Sequence, residues 1–247
     1  MLITSGAVLA GRAIPDPPLA ATCKDDYKQT ENRGNSALQK ITLPERPDWR
    51  AHAEEVGFTF ADMHGEPYWD ETSAYALSLE QIENDIEDPS TELHGMCREA
   101  VAEIIASEEL MTRLAIPEAH RDLVAESWRR GDPEIYGRFD LAYDGQRPAK
   151  LLEYNADTPT SLYESAAFQW QWLEDQLKAG VLPEGTDQFN GIHEALVARF
   201  AAVFEPNSDL HFTAVADNPE DYGTVEAMGW AAREAGLGAH YCDLDKI

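Results

Sequence analysis

The chain has 247 residues, 43% of them hydrophobic and 26% charged, which suits one globular core with room for a smaller second lobe and excludes a chain disordered as a whole. Asp plus Glu outnumber Lys plus Arg by 46 to 19, a formal net charge of −27, and a surface of that sign repels phosphate backbones and anionic membranes. No run approaches the ~20 apolar residues of a membrane-spanning helix, so neither a nucleic acid nor a membrane is an expected partner.

Leu2 to Ala10 is mildly apolar but lacks a basic segment before it, and Pro15 to Lys40 is rich in Pro, Asp, Thr and Asn without a period. Residues 1–39 therefore read as a disordered or non-homologous extension, or as translation from an early start codon, with the folded domain at 40–247. Asp48 is placed to cap a short helix through Val56, and Phe58 to Phe60 alternates like a strand. Ser78 and Gln81 have capping-box spacing ahead of a helical stretch that should break near Pro89 and resume over Thr91 to Ser107. There Cys97, Val101, Ile104 and Ile105 recur at helical spacing and predict a buried face. Pro117 suits the first turn of a helix ending near Arg130.

Two strands are expected next, Glu134 to Tyr143 and Ala149 to Asn155, turning at Asp144-Gly145. Helices follow over Leu162 to Lys178 and Asp187 to Phe204, and Phe168, Trp170 and Trp172 on the first are expected to pack the hairpin's apolar face. The last segment reads strand (Leu210 to Val215), helix (Tyr222 to Ala235), strand (Gly238 to Cys242). The predicted class is α/β, mixed α+β, with a partial β-α-β unit at the C-terminal end that lacks the elements to complete a sheet.

The hairpin holds the chemistry. Alternate strand side chains share a face, so Arg138 and Asp140 lie together on the first strand, and Glu153 and Asn155 on the second. Pairing Asp140 with Glu153 sets Arg138 against Asn155, Phe139 against Tyr154 and Leu141 against Leu152. One face becomes apolar and the other collects Arg, Asp, Glu and Asn. Two directly opposed carboxylates repel, and a divalent cation would offset that. An all-oxygen donor set suits Mg²⁺, which takes one or two carboxylates and fills its other positions with water and phosphate oxygens. A solvated polar face without further role is the alternative. Thr158, Thr160 and Ser161 form a polar loop before the next helix, suited to a carboxylate or phosphate, and Ser161 with Glu164 has capping-box spacing. The cysteines (Cys23, Cys97, Cys242) are scattered, no CxxC or HExxH occurs, and a reducing compartment, hence cytoplasm, fits. The acidity itself suits solubility or a saline habitat, and it would also steer a cationic substrate such as a polyamine.

At Tyr136-Gly137-Arg138-Phe139-Asp140 and Leu152 to Ser161, with a further match at Glu220 to Glu226, the chain resembles the synthetase domain of the glutathionylspermidine synthase family. The resemblance covers about Lys40 to the end. It implies an incomplete ATP-grasp-like fold and an ATP- and Mg²⁺-dependent carbon–nitrogen ligase that joins an acid to an amine through an acyl phosphate. By matching position, Asp140, Glu153 and Asn155 would hold Mg²⁺, while Arg138 would be catalytic and, with Asp140, contact the nucleotide. Thr158, Thr160, Ser161, Glu220 and Asp221 would face the substrates. The family's lysines and loop that grip the nucleotide have no counterpart here, so the chain reads as truncated at its C-terminus and is expected to be inactive alone, and the amidase domain of bifunctional members is absent. Thr158-Pro159-Thr160 departs from the small-residue and serine pattern of glutathione-using members, which leaves the acid open. A non-catalytic fragment that binds metal or a small acid, and a metal-dependent hydrolase using Asp140 and Glu153, are the competing readings. A two-carboxylate glycosidase is disfavoured, since directly opposed strand residues sit closer than the usual separation of ~5 Å or more.

Overall fold

The computed structural model describes residues 2–5, 38–156 and 160–247. Strand β1 (Leu2–Ser5) falls within the stretch read as an extension, and residues 6–37 lie outside the described residues. Strand β2 (Gln39–Thr42) leads to helix α1 (Trp49–Glu55), where Asp48 holds the N-cap position but has a left-handed backbone (φ 54) and makes no side-chain capping bond. No strand forms at Phe58–Phe60. The Phe58 N–H donates to the Ala53 carbonyl (2.7 Å) and the Thr59 N–H to Gly57 (3.0 Å), so the backbone wraps onto α1 and has no ladder to offer. Both phenyl rings instead enter the core edge-to-face, their centroids 4.8 Å apart.

A short hairpin of β3 (Asp62–Met63) and β4 (Glu66–Pro67) follows, and β5 (Ser73–Ala76) pairs antiparallel with β2. Helix α2 (Leu79–Gln81) carries the expected reciprocal Ser78–Gln81 capping box. The break expected near Pro89 does not occur. A π-helical stretch, Ile82–Glu87, runs directly into α3 (Asp88–Ile105), with Pro89 in its first turn. Proline has no N–H to give there, and the wider turns before it let the chain pass the ring unbroken. The predicted face of α3 is only half covered, with Val101 38% exposed. Helices α4 (Glu108–Arg113) and α5 (Glu118–Arg130) complete this layer, Pro117 standing at the N-cap of α5.

The hairpin pairs β6 (Arg138–Ala142) with β7 (Lys150–Asn155), and β1 adds to the free edge of β6, giving the order β1-β6-β7. The ladder begins at Arg138, not Glu134, whose carbonyl is taken by Arg199 Nε (2.8 Å) and whose carboxylate pairs with Arg98 (3.0 Å). Arg138 faces Asn155, Phe139 faces Tyr154 and Asp140 faces Glu153, as the alternation predicts. Beyond Asp140 the register slips. A bulge sets Leu141 against Leu151, which throws Leu152 outward to 63% exposure and leaves Leu141 fully buried. Leu141→Ala should therefore cost ~2–5 kcal/mol in urea unfolding. Leu152→Ala should stay within about 0.5 kcal/mol, and equal losses at the two leucines would remove the bulge.

A second π-helical stretch, Glu164–Phe168, opens α6 (Gln169–Lys178). Helix α7 (Ile192–Val203) starts five residues later than expected, because Asp187 and Asn190 spend their side chains on the Gln188 and Ile192 amides. Strand β8 (Asp209–Ala214), helix α8 (Pro219–Glu234) and strand β9 (Gly238–Asp243) form the predicted β-α-β unit with parallel strands. The molecule is thus mixed α/β, as read from the sequence. Among the described residues no helix is long and apolar enough to cross a membrane.

Two apolar clusters hold these parts. The larger joins Trp49, Phe58, Phe60, Phe168, Leu196, Phe200 and Ala231. The smaller lies under the hairpin, where Phe139, Leu141, Tyr143 and Ala149 meet Ile86. Phe168 therefore packs beneath α6 in the larger cluster and not on the hairpin, whose apolar face is covered by the π-helical stretch before α3. The fit is fixed by Tyr143 donating to Asp85 (2.6 Å) and by the Ala149 N–H on the Asp85 carbonyl (2.7 Å).

Candidate active site

With its apolar face seated, the hairpin turns its other face toward the residues 160–164. Gly137 precedes the polar ladder, and a Cβ there would stand 3.0 Å from the Tyr154 ring, which accounts for the glycine of the Tyr-Gly-Arg sequence. Arg138 then reaches along its own strand. Its Nε donates to Asp140 Oδ1 at 2.8 Å and its Nη2 to Oδ2 at 3.3 Å, a forked pair that is nearly buried, with 15% and 12% of the two side chains exposed. Nη1 donates to the Thr160 carbonyl (3.1 Å) and approaches the Thr160 hydroxyl (3.5 Å). With the Asn155 amide oxygen turned toward Arg138 and its nitrogen toward Glu153, Asn155 accepts from Nη2 at 3.3 Å and donates to Glu153 Oε1 at 3.2 Å. Burial lowers the guanidinium's proton affinity, but the hydrogen bond and charge of Asp140 outweigh it and hold Arg138 above its usual value.

The alternation therefore anticipated that these four residues share one face and missed how they settle one another. The opposed carboxylates are offset in part by Arg138 itself, one positive charge against two negative. The remaining charge sits on exposed Glu153. The face thus carries two carboxylates, one of them open to solvent, and an amide whose oxygen is turned to Arg138 and whose nitrogen is turned to Glu153. No group of three or more His, Cys, Asp or Glu forms a closed metal centre among the described residues.

The loop after β7 is the second wall. Thr158 lies outside the described residues. Thr160 offers its carbonyl to Arg138 and to the buried Tyr136 hydroxyl (3.4 Å). Ser161 is not half of a capping box. Its backbone is left-handed (φ 68), where an N-cap would be extended, and its hydroxyl lies 3.2 Å from that of Tyr68. Glu164 turns away from the helix start to accept from Tyr68 at 2.5 Å, and it is buried, 6% exposed. Its second oxygen, Oε2, is buried without a partner among the described residues. Burial pushes the Glu164 carboxyl up; the Tyr68 bond and Arg138 pull it back, and Glu220 adds to the rise. Burial likewise pushes the Tyr68 and Tyr136 hydroxyls up.

That shift has a sign. A carboxyl raised in the native state binds protons there that the unfolded chain has already released. Its contribution is whole below the unfolded value of about 4.3 and is lost as pH rises through the raised native value. Unfolding free energy measured in urea from pH 4 upward should carry this falling arm in the wild type and lose it in Glu164→Gln.

Glu220 and Asp221 open α8, where Asn218 caps both amides (3.2 and 3.3 Å). Acidic residues are favourable at that end of a helix in any case. Glu220 bears on the site through its charge, which reaches Tyr68 and Glu164, whereas Asp221 is tied only to the helix start among the described residues. In the neighbouring turn a Cβ on Gly223 would lie 2.8 Å from the Phe60 ring, so α8 can press this close to the core only with glycine there. Tyr68 and Tyr136 had no assigned role in the sequence, and Glu164 was read as a cap. Nothing local could pair positions 96 residues apart.

A family profile described as glutathionylspermidine synthase preATP-grasp matches residues 40–247. The chain belongs to this family. The glutathionylspermidine synthase-like segment is 37% identical over 217 residues to a Haemophilus influenzae protein named as an acid–amine ligase, covering 85% of this chain and 53% of that protein. It is 30% identical over 153 residues to trypanothione synthetase of Crithidia fasciculata, covering 62% of this chain and 23% of the relative. A bifunctional glutathionylspermidine synthetase/amidase of Escherichia coli is 25% identical over 131 residues, covering 53% of this chain and 21% of the relative. The chain spans about half the length of the first of these curated relatives and less of the others.

Proposed function

We propose that this segment supplies the acid-activating face of an ATP-dependent carbon–nitrogen ligase, with residues 40–247 as its folded unit. The observation that carries the reading is the Arg138–Asp140–Asn155–Glu153 cluster on one face of a buried hairpin, in a chain whose relatives are named as ligases and synthetases. The acid's carboxylate would attack the terminal phosphoryl group of ATP and release ADP, and the amine, giving up a proton, would then displace phosphate from the acyl phosphate to leave an amide. Arg138, held flat by Asp140 and Asn155, would set its permanent positive charge beside the moving phosphoryl group and the oxyanion formed as the amine adds. Asp140, Glu153 and Asn155 would hold Mg²⁺, which neutralises phosphate charge when bound. Thr158, Thr160 and Ser161 are assigned to the acid substrate, and Glu220 and Asp221 to the cationic amine. The strong negative charge favours an amine of polyamine type. Among the described residues Cys97 and Cys242 are free thiols, which suits a reducing cytoplasm.

The deciding experiment assays the gene product containing these residues for Mg²⁺-dependent phosphate release from ATP. The substrates are glutathione and spermidine, the pair in the Escherichia coli relative's name, alongside a panel of other small acids and amines. Release that requires both an acid and an amine is expected. Release without either, or hydrolysis of an ester or amide without ATP, would replace the ligase with a hydrolase.

A further inference from the structure

Arg138 depends on a turn that is itself under tension. Ser161 sits at φ 68, a region a serine enters at a cost, and such a conformation persists only where neighbours over-determine it. Two of its groups are held. The Ser165 hydroxyl donates to the Ser161 carbonyl (2.8 Å), and Tyr68 meets the Ser161 hydroxyl (3.2 Å). Tyr68 is in turn anchored by its short bond to Glu164 (2.5 Å), and Glu164 is fixed by burial at the start of the π-helical stretch before α6. One residue upstream, the Thr160 carbonyl receives both Arg138 and Tyr136. The hydroxyl of Tyr68 thus joins the end of the β3–β4 hairpin to the turn that takes one arm of the Arg138 guanidinium.

We propose that Tyr68 and Glu164 are positioning residues: the Glu164–Tyr68–Ser161 chain holds the 160–161 turn in its left-handed form and so fixes where Arg138 and the acid substrate meet. The proposal rests on the ligase reading for its consequence and on geometry alone for its mechanism. Glu164 acts as an anchored acceptor here. Its second oxygen has no partner among the described residues, so its place in the site comes from Tyr68 and the surrounding core.

The test has two readouts. Amide hydrogen exchange of the 160–168 segment, followed by mass spectrometry on the full chain, reads the turn whatever the enzyme does. Tyr68→Phe removes one hydroxyl from an exposed side chain, leaves the core intact and should speed exchange there by about tenfold. Ser161→Ala should do the same. Glu164→Leu should match them, whereas Glu164→Gln, whose amide oxygen still accepts from Tyr68, should stay much nearer the wild type. In the ligase assay with glutathione and spermidine, Tyr68→Phe should raise KM for the acid about tenfold while KM for ATP holds. Unchanged exchange in both Tyr68→Phe and Ser161→Ala would overturn the proposal. So would a Glu164→Gln variant as loose as Glu164→Leu, since the carboxylate's charge would then matter and not its bond to Tyr68. A wild type that never turns over would count against the ligase reading, and the exchange result would still decide the positioning role.

Discussion

Replacing Arg138 with alanine is expected to cost stability and activity together, and the two losses can be separated. Asp140 is nearly buried and both its oxygens are taken by the Arg138 fork, so truncating the arginine strands a carboxylate in the interior. Breaking one side of such a pair typically costs ~3 kcal/mol or more, although the intact pair itself contributes little net stability. Thermal unfolding should show that loss directly. The Thr160 carbonyl and Tyr136 hydroxyl would keep only each other, which should loosen the turn as well. ATP turnover in the ligase assay should fall by at least ~10³, the scale on which a preorganised cationic donor acts in phosphoryl transfer.

The control that separates the effects is a double variant, Arg138→Met with Asp140→Leu. Removing both charges and keeping apolar volume should recover most of the melting temperature, because well-packed apolar pairs often match or exceed the ion pair they replace. Turnover should stay absent. A double variant that regained turnover would show the pair to be structural only. Arg138→Lys is a third point: it keeps the charge and loses the planar fork, so Asp140 keeps one bond while Thr160 or Asn155 loses its own. Substantial loss of turnover with a small change in melting temperature is the expected result.

Much of this site was legible in the sequence because a strand's period of two leaves little freedom. Once Arg138, Asp140, Glu153 and Asn155 are written on alternating positions of two strands with a tight turn between, one register brings all four to one face, and that register is observed up to Asp140. The bulge that follows was not legible. It is set by how Leu141 and Tyr143 fit against Ile86 and Asp85 on a helix some 55 residues earlier, and alternation carries no record of that fit. The same limit explains Pro89, where the π-helical turns that absorb the proline leave no compositional mark, and Phe58–Phe60, where backbone bonds to α1 overrode an alternating pattern. Ser161 and Glu164 show a more instructive failure. Their spacing is that of a capping box, yet a tyrosine from a distant hairpin outcompeted the local amides for both side chains. Local rules name partners that are near in sequence, and the site was assembled from partners that are not.

Glu153 offers the cleanest test of the metal assignment, because it is exposed and a glutamine in its place keeps an oxygen for the Asn155 amide. Its carboxylate faces Asp140 across the ladder and carries the charge that Arg138 leaves uncompensated. Without metal, Glu153→Gln removes a like-charge opposition and should raise stability slightly, by up to ~0.5 kcal/mol. With Mg²⁺ present the order should reverse. A bound ion stabilises the native state by RT ln(1 + [L]/Kd), about 2.7 kcal/mol at a hundredfold excess over Kd, and the variant should forfeit most of that increment. Melting curves with and without millimolar Mg²⁺ therefore give opposite signs for one substitution, a signature that solvation of a polar face cannot produce. Turnover in the ligase assay should fall ~10²-fold or more in the same variant, since the metal's neutralisation of phosphate charge is lost with the fold intact. If Mg²⁺ shifts the melting point of wild type and Glu153→Gln equally, the ion binds elsewhere, and the polar face of the hairpin returns to being a solvated surface around one buried ion pair.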